Sequence, residues 1–498
     1  MYTVMYIFCI NGGLMEPSEK DFFSRIKKAI TLNPFSSQRL AVDLELTGMS
    51  PGSPNEEIIK KLTHTVSGVI ERINQRSRGQ GKSLSADNAE LLRYGMLFQV
   101  FHLYCDDYDQ LIQQQVERGK DSCKVTFARE VLQRLTDYGF SKSEALQSFA
   151  LFFQMRRAYF FIRNIAGESQ CVKELRKSLW NNIFTSDLGL YDTYLWNRME
   201  DFSTMLLGGT GTGKGMAASA IGRSGFIPFD EINGCFSESF VKTFITINLS
   251  QFSEQLIESE LFGHKKGAFT GAVDAHKGVF ARCSPHGAIF LDEIGDVSVP
   301  VQIKLLQVLQ DRHFSPVGSH SAERFQGRVI AATNQSIKSI RKQGEFRDDF
   351  YYRLCSDIIE VPTLRRRLDE HPDEIFVILS FIIKRILGRS SQALVQEIGE
   401  YILTNQPQDY LWPGNVRELE QCVRQILLHW SYTWQQAPDE PVEYFSAAIE
   451  NGNLTAQQLL AHYCHHLYTK LGTYEAVGQV TELDRRTVKK YVVHHQQR

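Results

Sequence analysis

Asn248 to Asp296 reads NLSQFSEQLIESELFGHKKGAFTGAVDAHKGVFARCSPHGAIFLDEIGD, and the fold is read outward from this stretch. Its centre is Gly267-Ala268-Phe269-Thr270-Gly271-Ala272, and its end is an apolar run, Ala288 to Leu291, closing on Asp292-Glu293. A short unbroken apolar run suits a strand buried on both faces of a parallel sheet, and such sheets bind ligands at the carboxyl ends of their strands. Two carboxylates at that end are placed to hold a metal ion and to work on a water. The bland alternative is a pair that merely caps the strand. Upstream, Thr204 to Leu207 is a second apolar run, followed by Gly208-Gly209-Thr210-Gly211-Thr212-Gly213-Lys214-Gly215 and a helix-permissive run from Met216 to Ile221. Strand, glycine loop and helix together make a phosphate cradle, because backbone N–H groups converge on the anion and the helix N-terminus adds its positive end. Lys214 would neutralise the β- and γ-phosphates. Gly215 departs from the pattern, since a Ser or Thr hydroxyl for Mg2+ normally follows the lysine.

The chain has 498 residues, room for about three domains at roughly 150 residues each. Its 55 Lys and Arg nearly balance 57 Asp and Glu, so any nucleic-acid surface must be local. The nine cysteines include no C-x-x-C pair, which argues against zinc sites and a disulfide framework and fits a reducing cytoplasm. Tyr2 to Ile10 is apolar but too short to span a bilayer. It reads as a short strand, or Met15 is the true start, and no membrane partner is expected.

Further acid, amide and arginine positions follow the same logic. Val329-Ile330 leads into Ala331-Ala332-Thr333-Asn334, a second polar strand end from which Asn334 could reach the γ-phosphate or the water. Arg347 and Arg353 lie six residues apart. Alone they would read as surface ion pairs; in an oligomeric ATPase, arginines reach a neighbour's nucleotide, because guanidinium is a planar fork that stays charged.

At this point the chain closely resembles the AAA+ domain of bacterial enhancer-binding proteins, the activators of sigma-54 RNA polymerase, over about Thr204 to Leu428. The motif that carries the resemblance is GAFTGA, Gly267, Ala268, Phe269, Thr270, Gly271 and Ala272, preceded by Glu258-Ser259-Glu260-Leu261-Phe262-Gly263. In the family it is a mobile loop that touches sigma-54. Two glycines flanking an exposed aromatic and a threonine agree with a mobile hairpin with an apolar tip, the alternative being a buried turn. The resemblance further implies that Asn248 is a switch that holds Glu293 from water, that Thr333 and Asn334 sense the γ-phosphate, and that Arg347 and Arg353 are arginine fingers. Asp292 would hold Mg2+ and Glu293 would activate the water. In Trp412-Pro413-Gly414-Asn415-Val416-Arg417-Glu418-Leu419, it implies that Arg417 reaches the phosphates from the lid. Three departures stand out: Gly215 where the family usually has Glu, a longer segment from Gly222 to Thr246, and Thr363-Leu364-Arg365-Arg366-Arg367 in place of Pro-Leu-Arg-Glu-Arg.

At the ends, apolar residues at three- and four-residue spacing predict helices over Glu56–Gln75, Ala86–Gly119 and Thr126–Ile165, with Arg76–Ser85 a solvated loop. The aromatic run from Phe149 to Ile162 reads as a helical-bundle core rather than a ligand pocket. Asp484 can cap a last helix whose face carries Arg485, Arg486, Thr487, Lys489 and Lys490. Helix, tight turn and basic helix resembles the Fis-type helix-turn-helix that usually ends these activators, with the arginines on base edges and the lysines on phosphate.

The expectation is thus a multidomain chain. A helical N-terminal region (1–200) precedes an α/β AAA+ P-loop ATPase core with a parallel sheet (201–365) and an α-helical lid (366–430). A linker (431–453) and a helix-turn-helix (454–498) follow. It is expected to bind ATP and Mg2+, to form a ring, hexameric in the family's manner, to bind upstream DNA, and to remodel sigma-54 RNA polymerase holoenzyme. Rival readings are an AAA+ remodeller of another protein client and, favoured by Gly215, a nucleotide-sensing repressor with weak ATPase.

Overall fold

A computed structural model of the chain describes residues 15–80, 84–270, 272–434 and 455–496. The stretch before Met15, Gly271 and most of the 431–453 linker lie outside the described residues. The architecture is built around a sheet of five strands: β1 (Thr204–Leu207), β2 (Phe244–Asn248), β3 (Ala288–Asp292), β4 (Arg328–Thr333) and β5 (Asp357–Glu360). Their order is β2-β3-β4-β1-β5 and every pairing is parallel. With β4 between β1 and β3, the glycine loop, Asp292-Glu293 and Thr333-Asn334 leave the sheet at one edge, side by side. That is where a parallel sheet opens its ligand crevice.

The middles of the three central strands are apolar because both faces are covered. Successive residues point to opposite faces, so Met205, Ile289, Leu291, Val329 and Ala331 pack with Leu261, Val301 and Leu305 on one side. On the other side, Leu206, Phe290, Ile330, Ala332 and Ile359 pack with Ala217, Ala218 and Ile221 of the Lys214–Gly222 helix and with Leu175 and Leu179 of the Gln170–Phe184 helix. At the amino ends of the strands, buried Arg328 donates to the Asn182 side chain at 2.8 Å and to Thr204 Oγ1 at 3.1 Å. Asn182 Nδ2 in turn donates to Thr204 Oγ1 and Asp357 Oδ2. Burial lowers the Arg328 guanidinium to about 10.

Among the described residues before the sheet are eight helices of ten or more residues: Pro17–Thr31, Ser37–Thr47, Asn55–Gln80, Ala86–Leu103, Cys105–Arg118, Ala128–Asp137, Lys142–Arg163 and Gln170–Phe184. The expected Ala86–Gly119 helix is broken at Tyr104, and the expected Thr126–Ile165 helix is broken before Ser141, which caps the next helix in a capping box with Glu144. Arg76–Gln80, read as loop, continues its helix instead; Arg76 pairs with Glu16 at 2.9 Å and with Glu19, which anchors the extra turn. The aromatic run is core, and its partners are not all in the helical region. Phe149 lies edge-on to Phe229 at 4.9 Å, and Phe153 stacks on Phe236 at 4.0 Å. Both partners come from the long segment after the phosphate-loop helix, where Phe229–Asp230 pairs with Cys235–Phe236.

The next four helices among the described residues after β5 are Leu364–Glu370, Glu374–Leu387, Gln392–Asn405 and Asn415–His429. Their first joint is a buried ion pair. Glu374 is wholly buried and accepts from Arg367 within the lid, and from the Glu168 and Ser169 backbone N–H groups at 2.9 and 2.5 Å. Burial pushes the Glu374 carboxyl up, but Arg367 and these donors outweigh it and hold it below the usual carboxylate range. The chain divides into two compact units, Met1–Asn405 with Trp412–Tyr432 and Gln406–Leu411 with Thr433–Arg498. The described residues of the second include three helices, Ala456–Leu471, Tyr474–Thr481 and Arg485–Gln496, around Cys464, Val477, Val488 and Val492.

Removing one member of a buried pair strands the other. Glu374→Ala is therefore expected to lower stability by about 3–5 kcal/mol, read as a shifted urea midpoint with an unchanged slope; a change under about 1 kcal/mol would show that Arg367 is rehydrated.

Candidate functional site

The phosphate loop leaves β1 at Leu207 and enters the Lys214–Gly222 helix. Gly211 and Gly213 have φ of +77° and +107°, which side chains with a Cβ rarely adopt. Gly211 is also constrained from outside: a Cβ there would lie 2.3 Å from Gly414 O and 2.9 Å from Arg417 Cβ. The lid turn therefore rests directly on the loop. Val416 N donates to Gly211 O at 3.1 Å, and Asn415 Nδ2 donates to Thr210 O at 3.0 Å while its Oδ1 accepts from Leu364 N at 2.8 Å. Asn415 thus joins the loop, the β5 exit and the lid. Sequence reading named the motif but missed this role, which belongs to contacts over 205 and 51 positions.

Lys214 is buried and its Nζ donates to Gly208 O and Gly209 O at 2.8 and 3.2 Å. Burial lowers its ammonium below the usual range, with Glu293 and Asp292 opposing the shift and Arg417 adding to it. The lysine, both carboxylates and the lid arginine therefore share one field. Burial also raises the Asp292 and Glu293 carboxyls. Glu293 sits at φ +57°, an uncommon conformation for a residue with a side chain. Such strain persists only where the surroundings impose it, and it clusters at functional sites. Its Oε2 accepts from Asn334 N at 3.2 Å, and Asn334 Nδ2 donates to Thr210 Oγ1 at 3.1 Å. Asn334 thereby links acid and phosphate loop.

The other candidates take different partners. Asn248 lies in register with Asp292, but its Oδ1 accepts from Ser250 N and Oγ at 3.0 and 2.8 Å. Thr333 is fully buried and its Oγ1 accepts from Gln335 N at 3.1 Å. Thr212 Oγ1 donates to Gly209 O at 2.9 Å, and Gly215 is exposed with open space around it. Arg347 pairs with Asp349 at 2.7 Å, and Arg353 Nε donates to Leu309 O at 2.9 Å. Their helix, Asp348–Leu354, is pinned by Gln302, whose Oε1 accepts from Arg347 N at 3.0 Å.

The residues fit a magnesium nucleotide. Mg2+ is commonly held by one or two carboxylates plus substrate phosphates rather than by a protein cage. The described residues contain no cluster of three or more ligating side chains, and Asp292 offers one half-buried carboxylate beside the loop.

Gly267–Ala272 forms a small closed loop. Gly267 N donates to Ala272 O at 2.8 Å and Ala272 N to Phe269 O at 3.0 Å, while Gly271 lies outside the described residues. Its stem is tied by reciprocal 2.9 Å bonds between His264 and His276. Thr270 and Val273 are exposed, Ala268 is half-buried and Ala272 is buried. Phe269 is half-buried rather than exposed, since its ring meets His264 edge-on at 4.9 Å.

In the second unit, Asp484 Oδ1 accepts from Arg486 N and Thr487 N at 2.9 and 3.1 Å and so caps the last helix. Arg485, Arg486, Lys489 and Lys490 are exposed, and Arg485 pairs with Glu475 at 2.9 Å.

Glycine loop, strand-end carboxylates, parallel sheet and a lid closing on the loop define a P-loop nucleotide-binding domain of the AAA+ kind. More narrowly, residues 194–360 match the family described as the sigma-54 interaction domain. The resemblance to the enhancer-binding activators therefore holds over this central domain. The chain is 39% identical over 229 residues to the Nif-specific regulatory protein of Azotobacter vinelandii, covering 46% of this chain and 39% of that one. It is 37% identical over 227 residues to the DNA-binding transcriptional regulator NtrC of Azospirillum brasilense, covering 45% and 43%. With the sigma54-dependent transcriptional regulator SfnR of Pseudomonas fluorescens it shares 38% over 232 residues, 45% and 56% of the two chains. The chain thus spans about two fifths to just over half of the length of these relatives. No helix among the described residues is long and apolar enough to cross a membrane.

Asn415→Ala removes the amide that joins Thr210 to Leu364. It is expected to weaken ATP binding by about ten-fold, the scale of one or two lost hydrogen bonds, in a fluorescent-nucleotide titration. Unchanged affinity would show that the lid seats itself without this side chain.

Proposed function

We propose that the protein is an ATP-dependent activator of transcription by sigma-54 RNA polymerase holoenzyme, working as a ring, in the family's manner a hexamer, in the bacterial cytoplasm. The observation that carries this reading is the GAFTGA loop, a hairpin with exposed Thr270, on the same domain as the Lys214, Asp292 and Glu293 cluster. A phosphate pocket alone would suit many clients; this loop narrows the client to a sigma factor.

In this reading, Gly208 to Gly213 and the helix start cradle the phosphates and Lys214 offsets their charge. Asp292 would hold Mg2+, which would neutralise charge developing on the phosphate oxygens. Glu293 orients and deprotonates the attacking water, its basicity raised by burial. Asn334 reports the state of that corner to Thr210, Arg417 carries it to the lid, and Asn248 exchanges partners between states. Arg347 and Arg353 serve the neighbouring subunit's nucleotide, which makes the ring necessary for turnover. The movement is delivered to sigma-54 through Phe269 and Thr270. The three-helix unit binds upstream DNA as a helix-turn-helix, with Arg485, Arg486 and Thr487 at the helix start facing bases and Lys489 and Lys490 facing phosphate.

Two substitutions test the two halves of the reading. Glu293→Gln keeps the shape but removes the base, so ATP binding is retained while turnover falls by about 100-fold or more; hydrolysis at the unmutated rate would remove Glu293 from the chemistry. Thr270→Ala should leave ATP hydrolysis within about two-fold and abolish open-complex formation with sigma-54 holoenzyme in vitro. Undiminished open complex in that variant would point to a different client.

A further inference from the structure

The helix that starts at Lys214 is gripped at its far end by the N-terminal helical region. It has nine residues, so about 13 Å separates the phosphate loop from its last turn. Two side chains of the Lys142–Arg163 helix take the carbonyls of the three residues just past that far end. Gln154 Nε2 donates to Ser224 O at 2.9 Å, and Arg157 donates through Nη1 to Arg223 O at 2.8 Å and through Nη2 to Gly225 O at 2.6 Å. Gln154 also exchanges hydrogen bonds with the Tyr191 hydroxyl, at 2.7 and 3.0 Å, in the segment that leads into β1. One side chain thus touches the chain on both sides of the β1, loop and helix unit.

Arg157 is the unusual member. It is wholly buried, its hydrogen bonds go to carbonyls rather than a carboxylate, and its Nε has no hydrogen-bond partner. The guanidinium lies over the rings of Phe153 and Phe240 at 4.5 and 5.5 Å, and burial lowers it to about 9. A buried cation without a counter-charge is costly. Here the negative end of the Lys214–Gly222 helix and two aromatic faces offset that cost. A leucine or methionine would fill the same space without it, so packing alone does not account for an arginine. Phe240 belongs to the segment, longer than expected for the family, that also carries Phe229 and Phe236 onto Phe149 and Phe153. Helical region and insertion together enclose the contact.

We propose that Arg157, with Gln154 beside it, is a positioning residue of the nucleotide site: it fixes the phosphate-loop helix from behind, so that the N-terminal helical region sets the affinity of the loop for ATP. This rests on the reading of Gly208 to Lys214 as an ATP site.

The test uses the full chain and three variants, Arg157→Met, Arg157→Lys and Gln154→Leu, each measured for steady-state ATP hydrolysis and for binding of a fluorescent ATP analogue, with circular dichroism melting alongside. Arg157→Met should raise KM and the analogue's Kd about ten-fold, the size of a lost charge-assisted contact, with kcat within about three-fold. Arg157→Lys, which keeps a charge but loses the fork, should recover part of that loss. A purely structural role lowers the melting temperature and the active fraction, hence apparent kcat, and leaves KM where it was. If Arg157→Met does not fold, Arg157→Lys and Gln154→Leu decide the matter, since each removes part of the grip. KM within about two-fold of the unmutated protein in the folded variants overturns the positioning role. Absence of ATP binding by the unmutated protein overturns the reading of the site itself, and this proposal with it.

Discussion

The constraint on which the molecule depends is the parallel pairing of β1, β4 and β3 in that spatial order. Parallel pairing sends all three carboxyl ends to one edge, and the order puts the β4 exit between the phosphate loop and the acid pair. Asn334 can then donate to Glu293 from its backbone and to Thr210 from its side chain. Such a sheet needs cover on both faces, since its strands are apolar in both directions. One face is covered by helices of the ATPase core itself; the other is shared by the phosphate-loop helix and the last helices of the N-terminal region.

That sharing gives the N-terminal region mechanical access to the nucleotide site. The Lys214–Gly222 helix lies between the sheet and the Lys142–Arg163 helix, with Arg157 and Gln154 on the carbonyls just past its end. The lid reaches the same loop from the opposite direction through Asn415 and Val416. It also reaches the start of the Gln170–Phe184 helix through Glu374. The loop is thus contacted directly by the lid and, through its helix, by the N-terminal region.

The parallel sheet and the helical first third were legible in the sequence because their signals are local: unbroken apolar runs for doubly covered strands, three- and four-residue spacing for helices. The helix breaks were not read: at Tyr104 both halves keep apolar periodicity and packing selects the break, whereas the break before Ser141 carries a local signal in Gly139 and the Ser141–Glu144 capping box. The phosphate loop and acid pair could be picked out because phosphate chemistry needs closely spaced glycines, a lysine and a strand-end carboxylate. Their arrangement could not. Thr333 turns into the core, Asn248 bonds to Ser250, and Phe269 leans on His264, each choice depending on a neighbour's geometry.

By itself, the sequence determined the class of the central domain and the residues able to carry its chemistry, because short motifs fix backbone shape and charge within a few positions. Only the tertiary structure decided who holds those residues in place. Asn415 meets Thr210 across 205 positions and Arg157 meets Arg223 across 66. No local pattern encodes either contact, since each exists only once the sheet, the lid and the helical region have been brought together by burying their apolar faces.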